Sequence, residues 1–335
     1  IEKGGEGAGS FMPLIKNLGG TYVELDFSGN GGFSVNPFDG ALFYKSVFTD
    51  EKNSEDEYIQ ILTADLEGKE DANKVTFIIS ILTLMVCDDE NARISKTAED
   101  FLKSLLLKAY RDYNNNEGNN LNVTIFAEDY LRPLNENPVQ VDHHTKDKVK
   151  AWAELFYGQM AKYRGDGIYA HFFNSTSDIK NPDVFCFDLE GIDEHPDLKG
   201  ILTSIIVNFC YLLMLDGKPE RKKLLLIDEA WALLGGGKMT AVIEAIWRTI
   251  RKHGGRIYCI TQDTKSIKKS PAGDAILKNS TYFYFLGSNY FPDDVEGIVA
   301  SGASGVKSVS NFDLAQIKEQ RFLKGQYSEF FFMNP

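Results

Sequence analysis

The chain has 335 residues, 43% of them hydrophobic and 25% charged, with a formal net charge of −12. These figures describe an ordinary globular protein of one large domain or two average ones. The acidic balance, with a pI of about 5.0, argues against a general nucleic-acid coat, which needs a basic face, and no apolar run approaches the roughly 18–20 residues of a membrane span.

From the N-terminus, Thr21 to Leu25 alternates in polarity and predicts a strand. Turns follow at Gly29 to Gly32 and at Asn36-Pro37-Phe38-Asp39. The pattern is helical from about Ser54 to Tyr113. Val75, Ile78, Ile79, Leu82 and Met85-Val86 recur at three and four, as do Ala98, Phe101-Leu102, Leu105-Leu106 and Ala109. A polar loop at Asn114 to Asn120 separates this stretch from further helix, through about Tyr163. A helical subdomain inserted into a strand-rich host is the expected plan.

From Asp183 strands alternate with helices. Strands are expected at Val184 to Leu189, Lys223 to Ile227, Arg256 to Thr261, Thr281 to Leu286 and Tyr327 to Phe332. Helices are expected at Leu198 to Leu215, Thr240 to Lys252, Ala272 to Leu277, Asp293 to Ala300 and Leu314 to Glu319. This alternation predicts an α/β fold with a mainly parallel sheet. Ile201 to Leu215 contains Thr203, Ser204 and Asn208 and ends at Asp216, so it reads as a buried helix. The four cysteines are widely spaced, without a C-x-x-C pair, and read as buried free thiols in a reducing compartment. Neither they nor the five histidines offer metal-ligand spacing.

The chemistry concentrates in Leu224-Leu225-Leu226-Ile227-Asp228-Glu229. A continuous aliphatic run reads as a buried parallel strand, and ligands of doubly wound sheets bind at the C-terminal ends of such strands. At that end Asp228 could hold Mg²⁺ through its water shell, and Glu229 could polarise the water that attacks a γ-phosphate. The same residues also fit a core strand running out into solvent. The next strand ends at Thr261-Gln262, where Gln262 fits the position of a water-orienting side chain, or simply begins a surface loop. The helix Thr240 to Lys252 carries Val242, Ala245-Ile246 and Thr249-Ile250 on one face. Arg248 and Arg251 lie opposite with Glu244. The arginines suit fingers reaching a neighbouring subunit's nucleotide. They also suit a solvated face with a Glu244–Arg248 pair.

Two glycine-rich stretches are decoys. Gly4 to Ser10 has the G-x-x-x-x-G spacing, but Ser10 stands where a P-loop needs Lys. Gly235-Gly236-Gly237-Lys238 is followed by Met239 and lies after the acidic strand. The chain thus shows the magnesium-and-water half of an ATPase site without a phosphate cradle. It begins at Ile1 without an initiator Met, and is expected to continue a longer sequence.

In order along the chain, Leu18-Gly19-Gly20, Asn36-Pro37-Phe38-Asp39, Asp166-Gly167 through Phe172-Phe173-Asn174, Ile227-Asp228-Glu229-Ala230-Trp231, Trp247-Arg248 to Gly255, Thr261-Gln262, Ser270-Pro271-Ala272-Gly273 and Asn279-Ser280 resemble the TraC family. These are the F-type conjugative pilus-assembly ATPases, relatives of the VirB-type ATPases of type IV secretion. The resemblance spans nearly the whole chain. It implies a RecA-like P-loop NTPase core with an inserted all-α subdomain: residues 1–50 and 176–335 as core, 51–175 as the insert. It implies ATP and Mg²⁺ as cofactors, with Asp228 and Glu229 as the Walker B acids, Gln262 as the polar residue of the following strand, and Arg248 and Arg251 in the family's basic helix. It places the Walker A segment upstream of Ile1, since Ile1 to Gly4 matches the strand end that follows it. It implies a homo-hexamer at the cytoplasmic face of the bacterial inner membrane, docked to secretion-channel proteins. Two alternatives remain: a DNA-translocating motor of the coupling-protein class, for which this acidic chain shows no basic pore segment, and a non-catalytic assembly module.

Overall fold

In the computed structural model, the described residues are 11–27, 34–38, 69–87, 94–114, 121–138, 146–174, 183–215, 222–228, 243–244, 246–261, 267, 270, 272–286, 310–323 and 326–333. The expected helix at Asp293 to Ala300, the turn at Gly29 to Gly32 and both glycine-rich decoys lie outside them.

The first helix, α1 (Met12–Asn17), was not expected from the sequence. Pro13 sits in its first turn, where a missing N–H costs nothing. Its end is a Schellman turn: the Gly19 amide donates to Lys16 O and the Gly20 amide to Ile15 O, with Gly19 at φ 70°. This stop delivers the chain into β1 (Thr21–Glu24), which runs parallel to β2 (Phe185–Asp188) with Thr21 opposite Phe185. A Cβ on Gly20 would come within 2.6 Å of Val184 O. Gly19-Gly20 therefore marks a left-handed cap followed by a close backbone approach.

The helical layer follows. The helices α2 (Lys69–Val86) and α3 (Lys96–Asn114) bury every apolar position of the two expected stripes. The helical run α4 covers 123–136, and α5 is Lys146–Gln159. Inside α4, Phe126–Leu131 is π-helical, with the Arg132 amide donating to Ala127 O. Pro133 cannot donate to the carbonyl four residues back, and the ladder widens just ahead of it. The ring pair Phe101–Phe156 joins α3 to α5, and the pair Phe38–Phe126 joins α4 to Phe38. Asn36 fastens the same junction: its Nδ2 donates to Leu121 O at 2.6 Å and its Oδ1 accepts from the Phe38 amide at 3.1 Å.

The helix α6 (Pro196–Leu215) packs against α2. Residues 201–210 are all buried, which confirms the expected core helix. Each fully buried Leu or Ile there contributes about 1.5–3 kcal/mol. No helix among the described residues is long and apolar enough to cross a membrane.

The chain divides into two compact units, Ile1–Gly217 and Lys218–Pro335. The second unit opens with β3 (Lys223–Ile227), parallel to β4 (Gly255–Cys259) with Ile227 opposite Cys259. Between them, residues 243–244 and 246–249 are helical and end in a 3₁₀ turn, Ile250–His253. The buried stripe is Ile243, Ile246, Trp247 and Ile250. It differs from the expected one by taking in Ile243 and Trp247 and leaving Thr249 half-buried, while Val242 and Ala245 lie outside the described residues. After α7 (Gly273–Asn279) comes β5 (Phe283–Leu286), and after α8 (Asn311–Lys318) come β6 (Phe322–Leu323), β7 (Tyr327–Ser328) and β8 (Phe330–Met333). Here β5 pairs with β8, and β6 with β7, both antiparallel. Strand–helix alternation could not reveal that orientation. The expected strand Tyr327 to Phe332 is split into β7 and β8.

Candidate nucleotide site

Asp228 directly follows β3, at the C-terminal end of a parallel strand pair. The ladder continues one step past β4, where the Ile260 amide donates to Ile227 O at 2.9 Å. The register then sets Asp228 level with Ile260 and brings Thr261 out at the same end. Asp228 is half-buried, while Leu225 and Ile227 beneath it are buried. Burial pushes the thiol of Cys259, opposite Ile227, up to about 12, so it is inert. Glu229 and Gln262 lie outside the described residues.

The arginines sit elsewhere. Arg251 belongs to the 3₁₀ turn that enters β4, at the opposite end of the strands from Asp228. Five strand residues span on the order of 15 Å. Arg248 lies one helical turn earlier, is largely exposed, and pairs with Glu244 at 2.5 Å. That is the expected i,i+4 pair, a contact of about 0.3–0.5 kcal/mol. The structure does not bring Arg251 to the Asp228 end within one chain.

Asp228 suits a hard cation held by one or two carboxylates, water and phosphate oxygens, which is how Mg²⁺ binds. Among the described residues no group of three or more His, Cys, Asp or Glu could hold a metal. A dedicated transition-metal cage is therefore not part of this described surface.

One carboxylate passed unnoticed in the sequence. Asp188 closes β2 as Asp228 closes β3, yet it is buried. Its Oδ2 accepts from the Tyr22 hydroxyl at 2.6 Å, and its Oδ1 from the Glu190 amide at 3.0 Å. The signal was the same apolar strand ending in Asp.

Two residues of the 166–174 motif that carried the family resemblance prove to shape the local backbone. Asn174 accepts from the Thr124 amide at 2.8 Å and donates to Tyr163 O and Ala170 O. A Cβ on Gly167 would collide with the carbonyls of Ala161 and Lys162. Beside them Arg164 lies over the Tyr157 ring at 3.7 Å and donates to Glu128 at 2.5 Å.

The family model of the TraG P-loop domain matches residues 52–330. Over 137 residues the chain is 32% identical to Protein TraC of Escherichia coli strain K12, covering 37% of this chain and 15% of TraC. It thus corresponds to a small part of that relative's length. Among solved structures, VirB4 of Thermoanaerobacter pseudethanolicus superposes with a TM-score of 0.62 at 16% identity, over 97% of this chain and 79% of that one. At that identity the likeness shows the fold, the RecA-like α/β core of P-loop NTPases. This chain belongs to the TraG P-loop domain family.

Proposed function

We propose that the chain carries the Walker B part of the C-terminal ATPase domain of a type IV secretion motor, which hydrolyses ATP to drive pilus assembly or substrate transfer. The observation that carries this reading is Asp228 at the C-terminal end of an aliphatic parallel strand, in a chain of the P-loop family. Asp228 would hold Mg²⁺ through water. Such an ion, when bound, would supply charge stabilisation to the nucleotide phosphates. Glu229 accepts a proton from the attacking water, and Gln262 orients that water. Arg251, at the far end of β4, acts on the nucleotide of a neighbouring subunit, with Arg248 as its companion.

In this reading residues 51–175 form a helical insert in a core made of 1–50 and 176–335. The working assembly is a homo-hexamer at the cytoplasmic face of the inner membrane, engaged with channel proteins. Full-length protein carrying Glu229→Gln should lose ATP hydrolysis by about 100-fold or more while still binding nucleotide. Hydrolysis at the wild-type rate would remove Glu229 from the mechanism. Arg251→Ala subunits mixed with Glu229→Gln subunits should recover part of the activity, because each supplies what the other lacks. No recovery would refute action in trans.

A further inference from the structure

The end of the β3–β4 pair opposite Asp228 carries more cations than the two arginines assigned to ATP hydrolysis. From Ala245 to Gln262 the chain has no acidic residue, although it holds 48 in all. The same run holds Arg248, Arg251, Lys252, His253 and Arg256. Strand register adds Lys222 to this cluster: Lys223 lies opposite Gly255, Leu224 lies opposite Arg256, and the Lys223 amide donates to Gly254 O at 3.4 Å. The backbone of the turn is fixed, with the Gly254 amide closing it on Arg251 O at 3.3 Å. Lys222, Lys252 and Arg256 are exposed, and none forms an ion pair among the described residues. Arg248, by contrast, is neutralised by Glu244.

We propose that this end of the sheet docks a short acidic segment of a partner protein, with Lys222, Lys252 and Arg256 as its cationic contacts. The patch covers two strand ends about 5 Å apart and one turn, the length of a few extended residues. The net charge of −12 selects among polyanions. A long nucleic acid or a membrane plane meets the repulsive field of the whole protein. A short segment stays within about one Debye length, roughly 8 Å, of the local cations. Next to Arg256, Leu224 is 62% exposed and Tyr258 41% exposed. The favoured segment therefore alternates carboxylates with apolar side chains, and Arg256 can grip one carboxylate with two parallel hydrogen bonds.

The test uses fluorescence anisotropy on the full chain. The probe is a labelled peptide of glutamates interrupted by leucines, with and without nucleotide. The peptide is expected to bind regardless of nucleotide, and to weaken about tenfold between low and moderate salt. The triple variant Lys222→Gln, Lys252→Gln, Arg256→Gln should weaken it about tenfold, and the corresponding Glu variant should abolish binding. Arg248 and Arg251 stay intact, so ATP hydrolysis is unchanged. The Gln set alters only exposed side chains and reads the charge effect even if the Glu set fails to fold. No peptide binding, or binding insensitive to the Gln set, overturns the proposal. So does tighter binding of a single-stranded oligonucleotide or of anionic phospholipid vesicles that the same substitutions remove.

Discussion

Two parallel strand pairs, β1–β2 and β3–β4, end alike in sequence and differently in chemistry. In each, an apolar strand is closed by Asp, at Asp188 and at Asp228. Asp188 is 4% exposed and holds the Tyr22 hydroxyl and the Glu190 amide, one on each oxygen. It bolts β1 to β2 and starts the turn Glu190–Ile192. Asp228 is half-buried and is followed by a second acid, Glu229. A half-buried carboxylate keeps contact with solvent, which holding a metal through water requires. Identical strand grammar thus yields a structural bolt in one unit and a candidate metal residue in the other. Burial separates them.

Exchanging the two losses tests that contrast most severely. Asp228→Asn should cut ATP hydrolysis by about 100-fold or more and change unfolding free energy by less than about 1 kcal/mol. Asp188→Ala should do the reverse. Loss of a buried acceptor with two donors costs roughly 2–4 kcal/mol, read by urea denaturation, while the folded fraction hydrolyses ATP normally. If Asp188→Ala instead silenced hydrolysis at unchanged stability, the two carboxylates would share a role. A smaller loss, about 2 kcal/mol, is expected for Gly167→Ala, because its Cβ would strike the Ala161 and Lys162 carbonyls.

The contrast also explains what sequence could reveal. The strand Lys223 to Ile227 and the helix ending at Leu215 were legible because long apolar runs have local causes. Asp228 was legible because it interrupts such a run. Asp188 interrupts one too, but its partner Tyr22 lies 166 residues away, and no local pattern encodes that distance. For the same reason the turn residue Asn36 and the motif residue Asn174 could not be read as clamps. Their partners Leu121 and Thr124 come from the helical layer. Arg251 was legible as a basic residue but not as one facing the far end of the strands, since the turn and register decide that.

Helix α6 contains a milder version of the same contrast. Ser204 and Thr203 are both buried hydroxyls. The Ser204 hydroxyl donates to Gly200 O at 2.8 Å, whereas the buried Thr203 oxygen has no hydrogen-bond partner among the described residues. Thr203→Val keeps the shape and removes the unsatisfied group. It should stabilise the protein by about 1 kcal/mol in chemical denaturation. Ser204→Ala should destabilise it by up to about 1 kcal/mol.

The smallest expected effect concerns a carboxylate between the two extremes. Burial pushes Asp197 up, but the Lys162 ammonium at 2.8 Å, the Leu198 amide and the Tyr169 hydroxyl outweigh it and hold it below the ordinary value. Burial, and then the Asp197 charge, push the Tyr169 hydroxyl upward, so it remains a protonated donor at neutral pH. The Asp197 shift fixes the sign of its pH dependence. A carboxylate depressed in the folded state adds stability that is complete above its unfolded value, about 4, and fades as pH falls through the folded value. Lys162 and Asp197 are 39% and 36% exposed, so the pair contributes less than about 1 kcal/mol. Lys162→Met should therefore lower the melting temperature slightly at pH 7, and the difference from wild type should shrink as Asp197 protonates in acid. A difference that persisted unchanged through acid would mean that Lys162 contributes through the packing of its alkyl chain rather than through its charge.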